Sequence, residues 1–234
     1  ILSRNLIPRQ LSSRVPVVYE TGFVTNTRVG ASDYAQRQSE VERELRKVRN
    51  FDSYILKTKE SIDRFVEAVH TVTGEDVRDA VQYVPYFLPD IEPIDSEDLN
   101  DKFSRSRPIR ILFVGSDGDL KGVHNLVEAL NRIHAEHPDL RSAFTATIVT
   151  RTKLPRCDFD VETYDHLSYA DVIDAFRRSH IFCMPTLKDS YGLVYIEAMA
   201  SGCAVVADDS PVRREILDDG DAGLLSDPQD PGDI

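Results

Sequence analysis

The chain has 234 residues, 41% of them hydrophobic and 29% charged, a balance that suits a soluble globular protein with a sizeable core. A formal net charge of −12 argues against wrapping a nucleic acid backbone, which needs Lys and Arg gathered on a basic face. No apolar run approaches the roughly 20 residues that span a bilayer, and no charged-then-apolar start reads as a signal peptide.

The chain opens on Ile1 and ends on Pro231-Gly232-Asp233-Ile234, which reads as a piece of a longer protein. Cys157, Cys183 and Cys203 are widely spaced and form no C-x-x-C pair, so they are expected to be reduced, apolar packing residues in a cytoplasmic setting. His134 and His137 lie one helical turn apart, but they have no third ligand at suitable spacing, and no metal is expected.

In chain order, Val15 to Tyr19 reads as a buried strand followed by a polar loop containing Gly22 and Gly30. From Ser32 to Asn50, Tyr34, Val41, Leu45 and Val48 recur at helical spacing among charges and predict an amphipathic helix. Phe51 to Leu56 is a second short strand. Thr58 is placed to cap a helix whose Ile62, Phe65, Val66 and Val69 share one face. Val81 to Pro85 is a third strand, halted by its proline. Residues 88–108 carry three prolines, many acids and few periodic apolar positions, and read as a linker.

The alternation then becomes regular. Ile109 to Gly115 is a strand, Gly122 to His137 a helix with Leu126, Val127, Leu130 and Ile133 on one face, and Thr145 to Thr150 a strand. A short strand near Val161 follows, and Ser168 is placed to cap a helix burying Val172, Ile173 and Phe176. Ile181 to Pro185 is a strand and Gly192 to Ala200 a helix, closed by Ser201-Gly202. Ala204 to Ala207 and Gly223 to Leu225 are further strands. Near-continuous apolar strands alternating with helices predict a parallel sheet with helices on both faces. In such a sheet, ligands sit beyond the carboxyl ends of the strands, so the loops after Gly115 and Pro185 are the places to search.

The first loop, Gly115-Ser116-Asp117-Gly118-Asp119-Leu120-Lys121-Gly122, joins a strand to a helix. Its glycines let backbone approach a ligand, the helix start offers N–H groups to an anion, and Lys121 adds a full positive charge. It matches neither the P-loop nor the dinucleotide fingerprint. The second, Thr186 to Gly202, places Asp189 before a helix opened by Gly192 and sets Glu197 eight residues farther on. Glu197 stands among Ile196, Ala198 and Met199, where a carboxylate needs partners. A diol held by Glu197, with phosphates on the amides of Gly192, Leu193 and Val194, accounts for these parts together. An N-cap role for Asp189 and a helix-to-loop hydrogen bond for Glu197 are the purely structural alternatives.

The segment Asp189-Ser190-Tyr191-Gly192-Leu193-Val194-Tyr195-Ile196-Glu197-Ala198-Met199-Ala200-Ser201-Gly202-Cys203-Ala204-Val205-Val206-Ala207 resembles the Glu-x7-Glu donor signature of the retaining GT-B glycosyltransferases, the group 1 or family 4-like enzymes. The loop from Val114 to Gly122 resembles that family's V-G-R-x-x-x-x-K-G, and residues 214–225 resemble its E-I-V-x-D-G-x-x-G-L-L ending. The likeness implies two Rossmann-like domains. The N-terminal, acceptor-side one is incomplete over residues 1–95, with a linker to about 108, and the nucleotide-sugar-binding one covers 109–234.

It also implies transfer of a sugar, with retention, from a nucleotide-diphosphate sugar to an unidentified acceptor, a saccharide or a lipid-linked molecule. In the latter case the protein would work at the inner membrane face. By this resemblance Lys121, Asp189 and Glu197 are catalytic. Lys121 would hold the diphosphate, Glu197 the ribose hydroxyls and Asp189 the hydroxyls of the transferred sugar. Gly115, Ser116, Ser190, Tyr191, Gly192, Leu193 and Val194 would complete the donor site, with neither metal nor cofactor.

In the N-terminal part Tyr86-Phe87 stands for the family's Asn-Gly and Gly22 for a histidine, and three positions of the C-terminal part also depart from the family pattern. Asp189 is one methylene shorter than the usual glutamate, Ser116 replaces an arginine that accompanies the lysine, and Ala204 stands for a proline. A non-catalytic binding domain acting in a complex and a nucleotide-sugar epimerase of the same architecture are the alternative functions.

Overall fold

The computed structural model describes residues 2–4, 18–20, 52–87, 91–104, 108–189 and 191–234, the first two stretches as backbone only. Two compact units divide the chain, Ile1–Phe87 and Leu88–Ile234.

In the first unit, β1 (Leu2–Arg4), β2 (Val18–Glu20), β3 (Ser53–Leu56) and β4 (Val81–Tyr83) pair in that order, all parallel. The helix α1 (Lys59–Thr73) begins where expected. Thr58 is extended, its hydroxyl accepts from the Ser61 N–H at 3.0 Å, and Ser61 Oγ accepts from the Thr58 N–H at 3.2 Å. This capping box satisfies two of the N–H groups that a helix start leaves orphaned. Gly74, at φ +75°, ends the helix. Phe65 and Val69 are buried with Tyr54 and Leu56, so the 3.6-residue period of α1 meets the two-residue period of β3. The predicted helix over Ser32–Asn50 and the loop with Gly22 and Gly30 lie outside the described residues.

The second unit is a six-stranded parallel sheet in the order β10-β9-β8-β5-β6-β7, with helices on both faces. Its strands are β5 (Ile109–Val114), β6 (Phe144–Val149), β7 (Val161–Tyr164), β8 (Ile181–Met184), β9 (Ala204–Asp208) and β10 (Leu224–Ser226). Its helices are α2 (Ser96–Ser104), α3 (Gly118–Lys121), α4 (Val123–Glu136), α5 (Tyr169–Arg178), α6 (Leu193–Ala200) and α7 (Pro211–Ile216). Leu112, Phe113, Val127, Phe176, Phe182 and Tyr195 are all at most 0% exposed and form the centre of its core. Burying one such side chain stabilises by about 1.5–3 kcal/mol, which explains why continuous apolar strands persist at the middle of this sheet.

Residues 88–108, read from sequence as a linker, contain α2, started by Asp95 Oδ1 accepting from the Asp98 N–H at 2.8 Å. An unexpected group fastens it to the ends of two helices. Lys102 is only 6% exposed, and its ammonium donates to Phe176 O at 3.1 Å and Ser201 O at 3.0 Å. These carbonyls belong to the ends of α5 and α6, where a cation is favoured by both helix dipoles. Burial pulls the Lys102 pKa down from its ordinary value, while the adjoining Cys203 thiol partly offsets that pull. Cys203 is thus more than apolar filling: its thiol donates to Phe176 O at 3.1 Å.

The strand order positions the site. The chain runs from β5 outward to β6 and β7, then returns to β8 on the other side of β5. The sheet therefore changes direction between β5 and β8, and open parallel sheets bind ligands beyond the carboxyl ends of the strands at such a point.

Candidate functional site

The loops leaving β5 and β8 face each other across this switch point and are clamped by backbone. Leu120 O accepts from Leu187 N at 2.9 Å, Lys188 N at 3.2 Å and Thr186 Oγ1 at 3.3 Å. Local sequence explains the first loop. Asp117 accepts from the Leu120 N–H and starts α3, a single turn where sequence suggested only a loop, and Gly122 breaks it at φ +76°. A Cβ added to Gly122 would stand 1.9 Å from Pro185 O, so both the left-handed backbone and the close approach require glycine. Gly115 lets the Lys121 side chain cross over it, since a Cβ there would lie 2.9 Å from Lys121 Cγ.

Lys121 and Asp189 meet across the switch point, Nζ to Oδ2 at 2.9 Å, with both side chains partly exposed. The same oxygen lies 3.1 Å from Nη2 of Arg213, a residue that sequence reasoning did not single out. Arg213 is 1% exposed, and its Nε donates to Asp208 Oδ1 at 3.0 Å. Its Nη1 donates to Tyr191 O, and its guanidinium carbon sits 4.3 Å above the Tyr195 ring. Tyr195 in turn donates to Met184 O at 2.6 Å. Pro211 at the first helical position and Ser210 as cap start α7 and aim Arg213 inward. Ser-Pro followed by two arginines was the available sequence signal, but it does not say which arginine is buried.

Asp189 is not an N-cap. The α6 helix opens at Gly192, φ +82°, a residue with no side chain to cap it. Glu197 lies in the second turn of α6, partly buried. Desolvation raises its pKa, and a hydrogen bond from the Tyr169 hydroxyl works in the opposite direction. Tyr169 opens α5 just after β7, so the partners of Glu197 and Lys121 both follow carboxyl ends of strands. Ser116 is exposed and its carbonyl accepts from Arg151 N at 3.4 Å. Ser190 lies outside the described residues.

The structure therefore brings Gly115, Lys121 and Asp189 together, with Tyr191 and Gly192 joined to them through Arg213. Glu197 is held by Tyr169 rather than by this set. Chemically the set offers a cation paired with a carboxylate, next to a helix start opened by glycine. Among the described residues no three His, Cys, Asp or Glu side chains gather as a metal site, and no helix is long and apolar enough to cross a membrane.

Known proteins resemble this chain in sequence and in fold. The phosphatidyl-myo-inositol mannosyltransferase of Mycobacterium tuberculosis is 33% identical over 129 residues, 53% of this chain and 34% of that protein. The D-inositol 3-phosphate glycosyltransferase of Corynebacterium kroppenstedtii is 26% identical over 239 residues, covering 94% of this chain and 52% of that protein. Sucrose-phosphate synthase from Thermosynechococcus elongatus superposes with a TM-score of 0.64 at 18% identity, over 92% of this chain and 56% of that one. The chain thus spans between 34% and 56% of the length of these relatives. The structural likeness establishes the GT-B fold. Residues 108–234 match the profile of the family described as Glycosyl transferases group 1, and the chain belongs to that family.

Proposed function

We propose that the protein transfers a sugar from a nucleotide-diphosphate sugar to an acceptor, with retention at the anomeric carbon, and that this chain carries the donor site. The observation that supports it best is the Lys121–Asp189 pair spanning the switch point beside the uncapped start of α6.

In this reading Lys121 and the amides of Gly192, Leu193 and Val194 hold the diphosphate and stabilise the charge that grows on it as it leaves. A hydrogen bond to a charged group is typically worth about 1.5–3 kcal/mol, so two or three of them supply a useful share of catalysis without any metal. Glu197 accepts from the ribose hydroxyls, Asp189 from hydroxyls of the transferred sugar, and Gly115 and Ser116 let backbone lie close to the ligand. Two of the relatives are named for phosphatidyl-myo-inositol and for D-inositol 3-phosphate, which supports a saccharide or a lipid-linked acceptor here. A cytoplasmic enzyme meeting a lipid-linked acceptor would work at the inner membrane face.

Two observations favour a second reading, a binding domain without turnover. Lys121 is already ion-paired, and Ser116 stands where the family pattern has a second cation. Incubating the whole protein with UDP-, GDP- and ADP-sugars and following products by NMR separates the readings. Transfer or donor hydrolysis with retention supports the enzyme. A donor that binds and stays intact in the presence of candidate acceptors supports the binding domain. An epimerised sugar nucleotide selects an epimerase.

A further inference from the structure

Arg213 belongs to no motif, yet every polar contact of its guanidinium reaches the donor crevice or the strand beneath it. Nε holds Asp208 at 3.0 Å, Nη2 holds Asp189 at 3.1 Å, and Nη1 holds the carbonyl of Tyr191, the residue before the glycine that opens α6. A Cβ on Gly192 would come 3.1 Å from the guanidinium carbon, so that turn packs directly on the arginine. The fork of donors matches three acceptors in different directions, which a single ammonium cannot do.

Charge makes the arrangement consequential. Lys121 and Arg213 face Asp189 and Asp208, and together the four are neutral. One oxygen, Oδ2 of Asp189, serves both cations. If Lys121 turns toward an arriving anion, Asp189 keeps Arg213 as its partner and is not left as an uncompensated carboxylate in a half-closed site. Without Arg213 the site would hold one cation fewer against Asp189 and Asp208, and the hold of Asp189 on Lys121 would tighten.

We propose that Arg213 is a positioning residue that, by holding Asp189 and Tyr191 together, releases Lys121 from its carboxylate partner to bind the diphosphate of the donor. The proposal rests on the nucleotide-sugar reading given above and assigns that site its control of anion affinity. Arg213 touches no substrate. It sets how strongly Asp189 competes with the ligand for the lysine.

The test compares the whole protein with its Arg213→Lys, Asp189→Asn and Arg213→Lys/Asp189→Asn variants, titrated with UDP, GDP and ADP by calorimetry, with circular dichroism to confirm folding. Arg213→Lys keeps the charge and loses the fork. It is expected to weaken nucleoside-diphosphate binding by about tenfold or more, as loss of a buried charged contact does. Adding Asp189→Asn should restore most of that loss, because no carboxylate then competes for Lys121. Asp189→Asn alone should bind the free nucleoside diphosphate at least as tightly as the native protein.

Native-like binding by Arg213→Lys, or a double variant no better than Arg213→Lys, overturns the proposal. The second of those results would make the arginine merely a scaffold. If Arg213→Lys does not fold, Asp189→Asn decides alone, and weaker nucleoside-diphosphate binding by it overturns the proposal. Failure of the native protein to bind any of the three nucleotides removes the nucleotide-sugar reading itself, a distinct result.

Discussion

Lys121 Nζ stands 2.9 Å from Asp189 Oδ2, so the side chain placed to meet a diphosphate already has a carboxylate partner. Anion binding is therefore an exchange of partners, and its gain is smaller than that of a free ammonium. Lys121→Ala should still weaken nucleoside-diphosphate binding, by about 1.5–3 kcal/mol, or roughly ten- to a hundredfold. Calorimetry at two ionic strengths checks this. The native affinity should fall with added salt, and that of the variant should fall less. Equal affinities would remove Lys121 from the phosphate site.

Gly122 and Gly74 have almost the same backbone, φ +76° and φ +75°, but opposite surroundings. A Cβ at Gly74 meets nothing within 4 Å, whereas at Gly122 it meets Pro185 O at 1.9 Å. Alanine at either site carries the left-handed penalty of about 1–3 kcal/mol. Only Gly122→Ala must also push apart the loops after β5 and β8. Denaturant unfolding should show the larger loss for Gly122→Ala, and that variant should also bind nucleotide less tightly. Equal losses would show that the contact with Pro185 is easily relieved.

His180 supplies a pH dependence. Its Nδ1 accepts from the Arg110 N–H at 2.9 Å, which leaves Nε2 to donate to Lys102 O at 3.1 Å. Protonation would set two donors against each other at Nδ1. Burial first, then the nearby Arg110 charge, holds the pKa below its ordinary value. The unfolded chain therefore binds this proton more readily, and stability rises with pH across the window. The contribution is complete above the unfolded pKa of about 6.5 and is lost as pH falls from there toward the folded value. Thermal melts between about pH 7.5 and about pH 5 should show a steeper acid loss in the native protein than in His180→Asn. Parallel curves would contradict this.

Much of this was legible in the chain, and the failures share a cause. Thr58, Ser168 and Gly192 announce helix starts by local chemistry, and the strands from Ile109 and Ile181 by near-continuous apolar runs, so the alternation and its ligand-binding edge followed. The helix α2 did not follow, because its sequence is acid-rich and its anchor is a lysine. A buried ammonium makes sense only once the ends of α5 and α6 are known to converge on it. Arg213 was hidden for the same reason, since the carboxylates that justify its burial lie on other elements. Local signals show where elements begin and which faces are apolar. Charges that become buried are explained by partners far away in sequence, and those are the residues that sequence reading passes over.

The donor-site account depends most on Glu197, whose carboxyl is raised in pKa by desolvation and steadied by Tyr169. Its most direct test is calorimetric titration of the whole protein and its folded Glu197→Ala variant with UDP, GDP and ADP. The account predicts that one of these binds the native protein and that the variant loses about tenfold or more in affinity, the loss expected when a carboxylate gripping ribose hydroxyls is removed. An unchanged dissociation constant in the folded variant would contradict it.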